Sequence, residues 1–278
     1  MRLRLWHAAD GTRVAYREAG TGPGLALLHS LGLSHRELEP AVEHLAHRYR
    51  VVLPDLPLHG DSEDRPRHPY TLDWYAEVMA GFCREVCGPR PLVGGHGFGA
   101  EVLLHATLTD RLAPEKLIVM PNRLHRPATR PLARKGWRLG ARAGAVPGLD
   151  RVVTHAAHLA VRPEQGLRLS ARANPAARDL VRHAFADVGG NANLARSWAR
   201  LAKAHPANAN RELLEGYRRL TLPVLLLWAD EDTFHPLDSA EEALGLLPDG
   251  QLRVLERTGF LVAYDDPVGV AREIAAFA

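Results

Sequence analysis

The nine residues Leu92-Val93-Gly94-Gly95-His96-Gly97-Phe98-Gly99-Ala100 decide how the chain is read. A short apolar run ends in glycines and is followed at once by an Ala- and Leu-rich stretch, the pattern of a strand turning tightly into a helix. Gly95, Gly97 and Gly99 stand at alternate positions, where the lack of a side chain permits close backbone approach or a positive φ. Outward from this turn the same alternation recurs. Residues 25–29, 51–54, 91–94, 116–120, 222–228 and 251–255 read as strands, and 36–47, 72–87, 98–109, 237–246 and 267–277 as helices. Strands that alternate with helices need crossover connections, so the expected class is α/β, with a mostly parallel sheet covered on both faces. Two earlier runs, 3–6 and 12–17, separated by Asp10-Gly11, resemble a leading hairpin and bring the sheet to eight strands.

Composition narrows the function classes. The 278 residues carry 35 Lys and Arg against 32 Asp and Glu, a balance that belongs to a folded globular chain and excludes a disordered one. No apolar run approaches the roughly 18 residues that span a bilayer. Residues 1–11 are basic but lack the apolar segment of a secretion signal. Cys83 and Cys87, four apart in a helical pattern, read as packing residues of a cytoplasmic protein, since two cysteines build no disulfide framework. No metal ion and no cofactor is expected.

The near-neutral total hides an asymmetry. Residues 121–220 hold 19 Lys and Arg against 6 Asp and Glu, and the remainder 16 against 26. Within that block, Ala, Leu and Arg spacing is broken at Pro147-Gly148, Pro163, Pro175, Gly189-Gly190 and Pro206, which suggests short helices forming a lid over 123–220, between core segments 1–122 and 221–278. The basic surplus reads either as a solvated helix surface or as an attraction for an anionic ligand or an acidic partner. Nucleic acid is not expected, because no zinc-finger spacing, basic zipper or aromatic RNA-binding signature accompanies the charge. Nothing in the sequence fixes the oligomeric state.

Five landmarks in order carry a resemblance. They are His29-Ser30-Leu31-Gly32; Asp55 with His59-Gly60-Asp61-Ser62; the Gly95 to Ala100 turn; Trp228-Ala229-Asp230-Glu231-Asp232; and Thr258-Gly259-Phe260 ahead of Asp266-Pro267. Together they resemble the α/β-hydrolase superfamily, whose strand-turn-helix elbow reads G-x-S-x-G. The resemblance implies a nucleophile at residue 97, a base at 260, an acid at Asp232 and oxyanion-binding N–H groups on Leu31 and Phe98. Two of these positions depart from the family. Gly97 has no side chain with which to attack, and Phe260 has no transferable proton. Asp232 keeps the acid position, and Ser30 places a hydroxyl where the family has the glycine of an HG pair.

Other groups carry two readings each. His96 is either a structural residue or a catalytic one, and His29 and His59 have ready structural roles. His235, three residues after Asp232, is either a displaced imidazole or a solvent-facing loop residue. Tyr264 either substitutes as an acid or packs on the lid, and Ser30 is a surrogate nucleophile with no base evident in its own loop. The pattern Gly95-x-Gly97-x-x-Ala100 also satisfies a dinucleotide fingerprint, but the next strand ends at Met120-Pro121-Asn122, without the carboxylate such a site needs. Two function classes follow. In the first, the chain binds a small organic ligand or performs non-hydrolytic chemistry as a pseudo-hydrolase with a degenerate triad. In the second, it hydrolyses through the relocated groups His235, Asp232, Ser30 and His96. A dinucleotide-binding oxidoreductase is the remaining alternative.

Overall fold

Eight strands form one sheet in the order β1-β2-β4-β3-β5-β6-β7-β8. They are β1 (Arg2–His7), β2 (Arg13–Ala19), β3 (Gly24–Leu28), β4 (Arg50–Pro54), β5 (Leu92–Gly95), β6 (Lys116–Val119), β7 (Val224–Ala229) and β8 (Gly250–Leu255). This computed structural model describes residues 1–127, 162–185, 192–205 and 210–278, with residues 135–136, 139–140, 142–143, 146, 149 and 152 between them. β1 and β2 form the expected antiparallel hairpin, β2 pairs antiparallel with β4, and every other neighbouring pair is parallel.

Side chains alternate across the sheet, and each face has its own core. Ala26, Leu28, Val52 and Val93 face the helices Leu72–Cys87 and Phe98–Leu108. Leu25, Leu27, Val51 and Ile118 face the helix Pro267–Phe277. Local chemistry sets the helix starts. The Thr71 hydroxyl accepts the N–H of Trp74, and the Asp266 carboxylate accepts the N–H of Gly269 beside Pro267. Cys83 lies in the first core, and both thiols are free, with burial pushing Cys87 up to about 12.

One expected element differs. Residues 36–47 are three short turns, His35–Glu37, Glu39–Ala41 and Val42–Leu45, rather than a single helix. Pro40 is the reason, because it offers no N–H to a continuous ladder. The break leaves Glu37 in a turn of its own and 1% exposed.

The sheet order positions the site. β3 lies between β4 and β5, so the chain leaves β3 to one side and later returns on the other. At such a reversal the loops after the two central strands diverge and leave a crevice at their carboxyl ends. Ser30 follows β3 and Gly97 follows β5, with Leu28 and Gly95 in register.

Between β6 and β7 the described residues hold a 3₁₀ turn, Pro163–Arg168, and the helices Ala176–Phe185, Ala192–Ala204 and Glu212–Arg219. Pro163 and Pro175 stand at element starts as expected, whereas the breaks expected at Pro147-Gly148, Gly189-Gly190 and Pro206 lie outside the described residues. Ala177 and Leu180 pack with Leu33, Leu261, Phe260 and Tyr264. The N–H of Leu261 reaches the carbonyl of Leu169 at 3.0 Å, and the Tyr264 hydroxyl donates to the carbonyl of Arg36. Among the described residues no helix is long and apolar enough to cross a membrane.

Candidate functional site

The turn after β5 is tight. Gly97 begins the helix Phe98–Leu108 with φ 50° and ψ −117°, a conformation that side-chain-bearing residues rarely adopt. A Cβ on Gly99 would come within 2.5 Å of the Leu28 carbonyl oxygen, so only glycine lets the helix start this close to β3. At residue 97 a Cβ would stand 2.5 Å from the Cβ of Ser30 and 3.8 Å from Cζ of Phe260. The three positions singled out from the sequence are therefore neighbours, and Ser30 fills the space that a side chain at 97 would need.

Ser30 is held by Glu37, which the sequence reading missed. Its N–H donates to Oε2 and its hydroxyl to Oε1 of Glu37, each at 2.6 Å. Oε1 also lies 2.7 Å from Nδ1 of His96, 59 residues away in sequence. Burial alone would raise the Glu37 carboxyl, but the charge and hydrogen bond of His96 and the two bonds from Ser30 hold it below the usual range. An ionised Glu37 makes Nδ1 of His96 the donor, and the buried Nε2 has no hydrogen-bond partner among the described residues. His96 is 0% exposed. Pro40 was the sequence sign that Glu37 need not lie on the solvent side of a long helix.

On the far side stands Phe260. Its ring centroid is 4.4 Å from that of His96 and 5.4 Å from that of His235, so it is wedged between two imidazoles. His235 is not a free loop residue. Its Nδ1 lies 2.8 Å from Oδ2 of Asp232, whose Oδ1 also accepts the N–H of Phe234 at 2.7 Å. Each imidazole beside Phe260 thus has its own carboxylate. Ser30, likewise, has a basic partner in its own loop, where none was evident from the sequence.

The other histidines serve the loops. His29 donates from Nδ1 to the Ser30 carbonyl and accepts the Leu56 N–H at Nε2, which fixes a neutral ring. His59 donates to the Pro57 carbonyl and packs edge-on to Trp198, and burial, then the nearby His29, push it down to about 3. Asp55 accepts from the backbone N–H and Nδ1 of His35 and from the N–H of Asp61. The bonds and charge of His35 outweigh its burial and hold Asp55 below the usual range. These residues build the turn that carries His59 and Ser62.

The N–H groups of Leu31 and Phe98 have no acceptor among the described residues. That leaves them available to an oxygen, as donors at a helix start and a neighbouring loop can be. No group of three His, Cys, Asp or Glu that could hold a metal ion occurs among the described residues. A cavity of about 160 Å³ lies elsewhere, with Leu72, Glu101, His105, Arg123 and Asn210 among its walls.

Comparison with known proteins agrees with the fold. An uncharacterized protein of Mycobacterium tuberculosis is 26% identical over 277 residues, covering 94% of this chain and 77% of its own length. A pimeloyl-[acyl-carrier protein] methyl ester esterase of Aeromonas hydrophila is 34% identical over 112 residues, 40% of this chain and 39% of its own. The fold of a thermophilic esterase from Thermogutta terrifontis, solved with malate bound, superposes with a TM-score of 0.76 at 22% identity, over 99% of this chain and 97% of that one. The profile of the Alpha/beta hydrolase family matches residues 25–273, which take in the elbow, the loops of Ser30 and Asp232, and Phe260. With an eight-stranded sheet of this order and a glycine elbow after β5, the chain belongs to the α/β-hydrolase family.

Proposed function

We propose that this chain uses the hydrolase scaffold to bind a small organic ligand, or to transform one without hydrolysis, in the crevice after β3 and β5, with residues 123–220 as its lid. Gly97 carries the reading. A serine hydrolase needs a hydroxyl at this turn, and here the side-chain position is empty by sequence and occupied in space by Ser30, 2.5 Å from where a Cβ would lie. Phe260 closes the place of the base with an apolar ring. What survives is the part of the site that binds: the N–H groups of Leu31 and Phe98 and the polar cluster of Ser30, Glu37 and His96.

The excess of Arg and Lys in 121–220 supports an anionic or acyl ligand, or an acidic partner that presents one. The Aeromonas relative is named for an acyl ester on a carrier protein, which fits that class.

Labelling with a fluorophosphonate probe, beside turnover of short activated esters, tests the reading. No labelled serine and no turnover above buffer is the expected result, and stoichiometric labelling at any serine overturns it. Native mass spectrometry of the purified protein then identifies a retained small molecule. The second reading, hydrolysis through relocated groups, draws on the bond between the Ser30 hydroxyl and Glu37 at 2.6 Å. Labelling at Ser30 that is lost in Ser30→Ala would favour it.

A further inference from the structure

We propose that Glu37 and His96 form an acid–base pair whose Nε2 takes a proton from a carbon beside a carbonyl, so that the site's ligands are small carbonyl compounds with an acidic α-hydrogen. This rests on the reading of the crevice as a non-hydrolytic site and names what it does.

Four observations lead there. First, Glu37 is committed on both oxygens, to the Ser30 N–H, the Ser30 hydroxyl and His96 Nδ1, which fixes the ring's orientation. Second, the other ring nitrogen is buried and has no hydrogen-bond partner among the described residues. Third, no hydroxyl lies within hydrogen-bond reach of His96 Nε2 among the described residues. Residue 97 is glycine, and the Ser30 hydroxyl already donates its proton to Glu37. The chemistry left to a buried imidazole with a free nitrogen is proton transfer. Fourth, the N–H groups of Leu31, adjoining Ser30, and of Phe98, two residues after His96, lack acceptors among the described residues and can hold a developing enolate oxygen.

The step balances within the protein and its ligand. The α C–H bond breaks and its proton forms the Nε2–H bond, while the electron pair becomes a carbon–carbon double bond and the carbonyl oxygen becomes an enolate oxygen. The imidazolium is stabilised by the Glu37 carboxylate beside it. Return of the proton to the same carbon exchanges it with solvent, and return to a neighbouring position isomerises the ligand. Neither outcome needs an oxidant or a second reactant. Phe260, 4.4 Å from the ring, fits this role better than a histidine would, because an apolar neighbour keeps water from competing for Nε2. Glu37 acts through His96 and is a positioning residue.

Proton NMR in heavy water tests the inference on the intact chain, with phenylacetone as a neutral probe and levulinate as an anionic one. The expected result is loss of the α-proton signals of at least one probe faster than in buffer. His96→Gln should reduce the rate by about 10²- to 10⁴-fold, the usual contribution of a general base. Glu37→Gln should lower kcat and leave KM unchanged, a split that loss of packing alone would not give. Exchange no faster than buffer with wild-type protein overturns the inference without any variant, as does full exchange by folded His96→Gln. Absence of exchange in a protein that the fluorophosphonate leaves unlabelled removes this inference alone, whereas labelling removes the underlying reading as well.

Discussion

Oδ2 of Asp232 lies 2.8 Å from Nδ1 of His235, three residues along the same loop. Asp232 therefore orients an imidazole, although residue 260 is phenylalanine. Asp232 also receives the N–H groups of Phe234 and His235. Removing a buried carboxylate strands these donors, and hydrogen bonds to charged groups contribute about 1.5–3 kcal/mol each. Asp232→Ala should lower stability by about 2–3 kcal/mol in urea unfolding. A loss under 0.5 kcal/mol would mean that the loop holds itself without the carboxylate.

A serine at residue 97 should destabilise the protein. The backbone there has φ 50°, and a new Cβ would meet the Cβ of Ser30 at 2.5 Å. Unfavourable backbone conformations cost about 1–3 kcal/mol, before any displacement of Ser30 is added. Gly97→Ser should therefore cost about 2–4 kcal/mol, and Ser30→Gly in the same chain should return part of it. Because the two sites touch, their effects should be non-additive in a double-mutant cycle. Additivity within 0.3 kcal/mol would show that the side chains do not compete for the same space.

Building a triad on the proposed positions should take more than two substitutions. Gly97→Ser with Phe260→His supplies hydroxyl and imidazole, but Asp232 is already engaged by His235 and the space at 97 by Ser30. The double variant should show feeble ester turnover at best. Adding Ser30→Gly and His235→Ala should raise it, since residues that act as a unit contribute non-additively. If the four-fold variant folds and turns over ester no faster than Gly97→Ser alone, residue 260 does not reach Asp232 as a base would.

Stability should fall early on acidification. His59 is buried, and its pKa drops from 6.5 to about 3. Below pH 6.5 the unfolded chain takes up a proton that the native ring refuses, so this contribution is complete above 6.5 and is lost as pH falls toward 3. The slope reaches at most about 1.4 kcal/mol per pH unit for one group. His29 shifts in the same direction, mainly through burial. Glu37 and Asp55 are also held below their ordinary values of 4.5 and 3.8, so their contributions persist above those values and fade only below them. Urea midpoints measured from pH 7.5 to 4.5 should fall, and His59→Gln should flatten the curve. An unchanged slope in that variant would place the titrating group elsewhere.

Much of the fold was legible because its signals are local. The runs of Leu, Val and Ile at 25–29 and 116–120, and the glycines at 94, 95, 97 and 99, announce strand and elbow within a dozen residues. The expected helix at 36–47 shows where such reasoning fails. Its apolar spacing was right, with Leu38, Ala41, Val42 and Leu45 all in one core, but Pro40 divided the backbone that carried them.

The sequence by itself determined that residues 97 and 260 bring neither nucleophile nor base, because a side chain's chemistry is fixed by its identity. It also determined the alternation that makes the sheet mostly parallel. Only the tertiary structure decided what the remaining polar groups do. Ser30, Glu37 and His96 meet because β3 and β5 are adjacent, although the glutamate and the histidine lie 59 residues apart. His235 turns toward Asp232, three positions before it, in a loop that offered solvent as the alternative. A buried polar atom must find a partner within the space left by packing, and that space is set by which loops the strand order brings together, not by any stretch of chain read alone.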